Sequence, residues 1–280
     1  MGTSKSSDGP GPGNFLPDYA DPASPEPNVP DYGNQNGESD PEADPQNEST
    51  DPIPVVPAVK PARFIGTRSA LGRYANSGSQ DDLKNALGHY TAKGYGGAAT
   101  ATARQHHVTS SVGRLNSALS NLGNGSESDP LAGEDLTGKT SDQIVDAIID
   151  AVAPVDGTQD AELERTCMAE AFAEVLEADE NADAAALTAE QQASVIRSTL
   201  SLCVSRRFML DVGKHLREKA GSAKIGASRI QEVKSFIREE IASNFRSIAT
   251  GPLPTGVAAF QNIVTNVLRA TFDVFESYVQ

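Results

Sequence analysis

The chain has 280 residues, with 38 acidic against 23 basic side chains and a formal net charge of −15. That length allows one or two domains. Two cysteines, Cys167 and Cys203, exclude a disulfide framework, and no run of about 18 apolar residues is present to form a membrane-spanning helix. The first residues lack the apolar stretch of a secretory signal. Both cysteines sit in apolar helical patterns, so buried free thiols in a reducing cytoplasm are expected. Charge and proline divide the chain. Residues 1–62 hold 13 of the 17 prolines and a net charge of −9, residues 63–122 carry +5, and residues 123–280 carry −11.

The opening, Met1-Gly2-Thr3-Ser4-Lys5-Ser6-Ser7 and then Asp8-Gly9-Pro10-Gly11-Pro12-Gly13, has no apolar periodicity and suits an exposed, flexible chain. Because Gly2 is small, removal of Met1 is expected to leave it as the N-terminal residue. A glycine α-amine has no side chain beside it, and at a pKa near ~8 roughly a tenth of it is neutral and nucleophilic at pH 7. Two readings attach to this tip. Met1-Gly2-x-x-x-Ser6 fits the N-myristoylation pattern. Alternatively, a partner enzyme recognises or modifies Gly2 together with Thr3 and Ser4.

Residues 14–20 form an apolar island, with Phe15, Leu16, Pro17 and Tyr19 inside an otherwise polar stretch. Such an island in a segment of low hydrophobicity reads as a docking motif that orders on a partner. Residues 21–52 are rich in Asp, Glu, Pro, Asn and Ser and should stay extended and self-repelling. Residues 52–57 read as a polyproline II piece. Residues 1–62 are therefore expected to be a disordered acidic arm.

Phe64, Leu71 and Tyr74 place a helix over 63–75, stopped by Asn76-Ser77-Gly78. Ser79, three residues before Asp82, signals the N-cap of a second helix running to about Lys93. Gly94-Tyr95-Gly96-Gly97 ends it. No strand precedes this glycine run and no Walker lysine follows, so it reads as a helix stop that lets helices approach closely rather than as a phosphate cradle. Val108, Val112, Leu115 and Leu119 predict a third helix over 98–122. Arg68, Arg73, Lys93, Arg104 and Arg114 in this basic module are candidates for an anion or partner face. His106 and His107 are adjacent, about 100° apart on a helix, and make poor joint metal ligands.

After a linker at 123–139, Thr140 with Gln143 forms a capping box ahead of a short amphipathic helix that ends before Pro154. A helix over 159–178 follows. Thr188 with Gln191 opens the next, which reaches towards Lys219 and is apolar on more than one face, as expected of the central helix. Arg206 and Arg207 inside it are read as ion pairs with the acidic helices. Helices over 227–249 and 255–278 repeat the apolar spacing, placing Ile237 and Val264 in the core. The expected fold is all-α, with residues 140–280 as a five-helix antiparallel bundle. No nucleophile elbow, metal-ligand spacing or dinucleotide fingerprint occurs, so neither an enzyme nor a cofactor is expected.

The opening Met1-Gly2-Thr3-Ser4-Lys5-Ser6-Ser7-Asp8-Gly9-Pro10 with Leu16-Pro17-Asp18-Tyr19-Ala20 resembles the start of QatB proteins of the Qat anti-phage defence system. Residues 68–74 and 87–97, with Arg104 beyond them, are similar to that family's basic helical module. The chain has Tyr19 where the family usually has Trp, and its 98–122 stretch holds fewer arginines. The resemblance implies bacterial defence beside an ATPase, a QueC-like enzyme and a TatD-like nuclease. QueC chemistry activates a deazaguanine carboxylate for attack by an amine, so a QueC-like partner could accept the Gly2 amine in place of ammonia. The expectation is a non-enzymatic adaptor and substrate protein. The alternative is a nucleic-acid-binding subunit that uses 63–122.

Overall fold

The computed structural model describes residues 62–122, 131 and 134–279, and among them there is no strand. The helices are α1 (Ile65–Ser77), α2 (Gln80–His89), a π-helical turn (Tyr90–Tyr95), α3 (Ala98–Ala103), α4 (His106–Asn121), α5 (Ser141–Val152), α6 (Gln159–Ala178), α7 (Ala189–Lys219), α8 (Ala223–Ile248) and α9 (Val257–Ser277). The expected arm, its Gly2, Thr3 and Ser4 tip, the Leu16, Pro17 and Tyr19 island and the 52–57 piece lie outside the described residues.

Local chemistry sets most boundaries. Both capping boxes are formed. The Thr140 hydroxyl accepts from Gln143 N–H, while the Gln143 side chain accepts from Thr140 N–H at 3.0 Å; Thr188 and Gln191 repeat this, the return bond at 2.8 Å. Each box meets two backbone donors that the first turn of a helix leaves without a partner. Ser79 caps α2 through Asp81 N–H, but Asp82 does not complete a box. Its carboxylate instead takes Arg73 and Ser77, each at 2.9 Å, which ties the end of α1 to the start of α2. Gly78, at φ 66°, closes α1 in the left-handed conformation that favours glycine.

The helix predicted over 98–122 is two helices. The Thr102 hydroxyl bonds the Ala98 carbonyl at 2.8 Å, and Gln105 N–H reaches back only three residues, to Thr102. Hydroxyl bonding of this kind competes with the helical ladder and bends it. α8 starts four residues earlier than the spacing predicts, because Ser222 caps it through Ile225 N–H.

α7 is the centre of the described body. It packs against α1, α4, α6 and α8, and Val195, Ile196, Leu200, Cys203, Phe208, Val212 and Leu216 are buried around its circumference. α8 closes over it with Ile237 and Ile241, and α9 packs on α3, α4 and α8 with Phe260, Val264 and Phe275; all five are inaccessible to solvent. Helices from 63–122 contribute to the same apolar core as those of 140–280. Polar bonds cross between them as well. The Tyr74 hydroxyl donates to Glu232 of α8 at 2.7 Å, and the Asn116 amide donates to the Pro254 carbonyl at 2.8 Å. In the linker, Leu131 is buried and Leu136 packs against the core. Both cysteines are buried free thiols.

Candidate functional site

The described residues place one dense polar and aromatic cluster where 1–61 joins the helical body. Tyr90 and Tyr95 stand five residues apart, one repeat of a π-helix, so both project the same way from the turn. Their hydroxyls lie 3.3 Å apart, and each donates to the same Asp211 oxygen, Oδ2, at 2.8 Å. The second carboxylate oxygen faces the Arg63 guanidinium at 3.7 Å. Arg63 also lies over the rings of Phe64, at 4.4 Å, and Tyr95, at 5.2 Å. Phe64 stacks on Tyr90 with centroids 5.3 Å apart, and Phe208 of α7 meets Tyr90 edge-on at 4.8 Å.

Burial, with Tyr95 and Asp211 close by, pushes the Tyr90 phenol well above its ordinary range; burial and Asp211 raise Tyr95 too. Both phenols therefore stay protonated donors. Burial works against the Arg207 charge, but Tyr95, Asp160 and Asp211 outweigh it and hold that guanidinium above its usual value. A carboxylate taken up by two phenols and faced by a guanidinium clamps the elements that carry them.

The glycine run serves this cluster. A side chain at Gly94 would fall 2.5 Å from the Phe64 ring. Gly96 and Gly97, at φ 84° and 108°, turn the chain into α3. The Ala98 N–H at the start of α3 is taken by the Glu276 carboxylate at 2.8 Å, so a carboxylate of the chain itself stands at that helix end.

The predicted basic residues occupy separate settings. Arg68 and Arg73 of α1 line an open cleft of about 750 Å³ with His215 and Lys219 of α7. Lys93 is exposed on the π-turn. Arg104 lies 5.6 Å from the Tyr95 ring centroid. Arg114 is half-buried and donates to the Val152 carbonyl at 2.7 Å, and burial lowers its pKa. Arg206 and Arg207 pair with Glu170 and Asp160 of α6, as the sequence predicts. The rings of His106 and His107 lie 3.9 Å apart; burial and then the neighbouring ring lower the His106 pKa. No group of three or more His, Cys, Asp or Glu is arranged for a metal among the described residues, and no described helix is long and apolar enough to cross a membrane.

In the sequence, Tyr90 falls inside the second predicted helix and Tyr95 in the glycine run that ends it, and neither points to Asp211 or Arg63. The available signals were the five-residue spacing of the two tyrosines and a lone acid inside the apolar pattern of α7. No curated protein and no solved structure matches the chain. A family model described as Qat anti-phage system associated protein QatB matches residues 96–275, which run from the end of the π-turn through nearly all of α9. The chain therefore belongs to the QatB family of the Qat anti-phage system.

Proposed function

We propose that this chain is a non-enzymatic adaptor and substrate subunit of its defence system, offering Gly2 to a QueC-like partner enzyme while its helices hold other components. The observation that carries the reading is the fixed junction. The acidic, proline-rich stretch that begins with Gly2 joins the body at Arg63 and Phe64, which the Tyr90, Tyr95 and Asp211 cluster holds against α7. A held root fixes the point from which the arm reaches, and the arm's length and stiffness then set the effective concentration of the tip at a partner's site. The chemistry fits: an unhindered glycine amine can replace ammonia as the nucleophile on an activated deazaguanine carboxylate. An ATPase and a TatD-like nuclease are the further partners in this reading, in the cytoplasm.

The test is the mass of the tryptic peptide Gly2-Thr3-Ser4-Lys5 from cells carrying the complete system and from cells lacking the QueC-like enzyme. An added mass that depends on that enzyme is expected. A saturated acyl mass would assign the tip to myristoylation instead, and an unmodified peptide from an active system would sink the proposal. Leu16→Ala and Tyr19→Ala are expected to weaken capture of the QueC-like partner without altering the melting of the body.

The cleft of Arg68, Arg73, His215 and Lys219 favours a second reading, nucleic-acid binding through 63–122. It predicts affinity that falls steeply with salt, with a shallower slope for Arg68→Ala.

A further inference from the structure

α6, α7 and α8 enclose a groove of about 460 Å³ that the proposed function does not use. α7 supplies Arg206, Met209, Leu210 and Arg217, a stripe at helical spacing; α6 faces it with Leu163, and α8 with Ile230 and Lys234. From Arg206 to Arg217 the stripe runs roughly 16 Å, about three helical turns. Leu210 is 53% exposed, on a helix that otherwise buries its large apolar side chains Phe208, Val212 and Leu216 nearby. Leu163, Met209 and Ile230 are half-buried beside it, so the floor is apolar but unfinished. Gly213 leaves room for Met209 to lie down, since a side chain there would come 3.0 Å from its sulfur. An unbranched thioether re-packs readily around an incoming side chain.

The rim is positive within the acidic 123–280 part of the chain. Arg217 and Lys234 stand at the edges; Arg206 is held by Glu170, and Glu162 is the one acid on the lining. Residues 123–280 carry a net −11, so this is a local reversal of sign.

We propose that the groove is a docking site for an acidic amphipathic helix of a partner protein. Its apolar edge would cover Leu210, Met209 and Ile230, and its carboxylates would meet Arg217 and Lys234. A floor on α7 flanked by α6 and α8 matches the helix-in-groove mode of recognition. A membrane surface fits poorly, because anionic lipid repels a chain of net charge −15.

The test uses the full chain and three fluorescein-labelled peptides of roughly five helical turns. One has leucine at i, i+3, i+4 and i+7 with glutamate elsewhere, the second has lysine for every glutamate, and the third has glutamine for every leucine. Saturable binding of the first alone, read by fluorescence anisotropy, is expected. Leu210→Asp, and separately the pair Arg217→Glu with Lys234→Glu, should weaken it tenfold or more while leaving the thermal melt unchanged. Binding of the lysine peptide as strong as that of the glutamate peptide would overturn the proposal, as would indifference to both variants or no saturable binding. Self-association abolished by Leu210→Asp, without peptide binding, would assign the groove to a second copy of this chain and overturn it too.

Discussion

The Phe64 ring lies on Tyr90 with 13° between the ring planes, and the space it fills exists because residue 94 has no side chain. A methyl group at 94 would meet the Phe64 ring at 2.5 Å. Gly94→Ala should therefore cost about 1–3 kcal/mol through overpacking. Phe64→Ala should cost about 3–5 kcal/mol by removing a buried ring. The double variant should lose little beyond Phe64→Ala alone, because the clash disappears with the ring. Urea unfolding of all four proteins gives the coupling, and additive losses would show that the two positions do not touch.

Asp211 receives two phenol hydrogens on one oxygen. Asp211→Ala leaves both hydroxyls without that acceptor, and at about 1–3 kcal/mol per buried orphan it should be the most damaging single polar change in the cluster. Asp211→Asn keeps a carbonyl oxygen and should cost clearly less. Tyr95→Phe removes one donor and leaves one, so about 1 kcal/mol is expected. Denaturant midpoints that rank Tyr95→Phe above Asp211→Ala in damage would contradict the shared-acceptor arrangement.

Ile237 of α8 and Val264 of α9 are both fully buried in the core. Ile237→Asp places an unpaired charge there and should cost several kcal/mol, enough to abolish cooperative melting in a marginally stable body. Glu239 is exposed on the same helix, and Glu239→Ala should change the melting temperature little. Similar melting for both variants would mean the helix is turned differently.

The helices were legible in the sequence because apolar spacing and caps are local signals. Thr140 with Gln143 and Thr188 with Gln191 each placed a helix start, and Arg206 and Arg207 found their acidic partners on α6. What depended on contact across the fold was not legible. The break at Arg104–Gln105 follows from hydroxyl bonding inside an apparently continuous helix. Asp82 serves Arg73 and Ser77 rather than its own helix start. The tyrosine cluster needed Asp211, more than a hundred positions away, to have any meaning. The half-buried face of Ile230 looks in sequence like one more core position, and only the packing of α6 beside it makes it a groove.

Glu164 of α6 is buried, and its Oε2 lies 2.6 Å from the Ser111 hydroxyl of α4. Burial pushes its pKa up; the Ser111 hydroxyl, His107 and Arg114 pull the other way without cancelling it, and Asp160 adds to the rise. When Glu164 is protonated it donates to Ser111, whose own hydrogen can then go to the His107 carbonyl, 2.9 Å away. When it is ionised, Ser111 donates to it and that carbonyl loses the bond. The native state therefore holds a proton at pH values where the unfolded chain has released it. The stability this proton brings is fully present below the ordinary glutamate value of about 4.5 and is lost as pH rises through the higher folded-state value. Glu164→Gln keeps a hydrogen-bonding side chain of the same size and does not titrate. The variant should thus be no more stable than the parent at pH 4 and should gain on it as pH rises above about 4.5 and through the folded-state value. Urea unfolding at a series of pH values reads the difference between the two proteins directly, which removes every titration they share. A difference that stays flat, or moves in the parent's favour as pH rises, would mean that Glu164 is ionised in the folded protein throughout and that Ser111, His107 and Arg114 outweigh its burial.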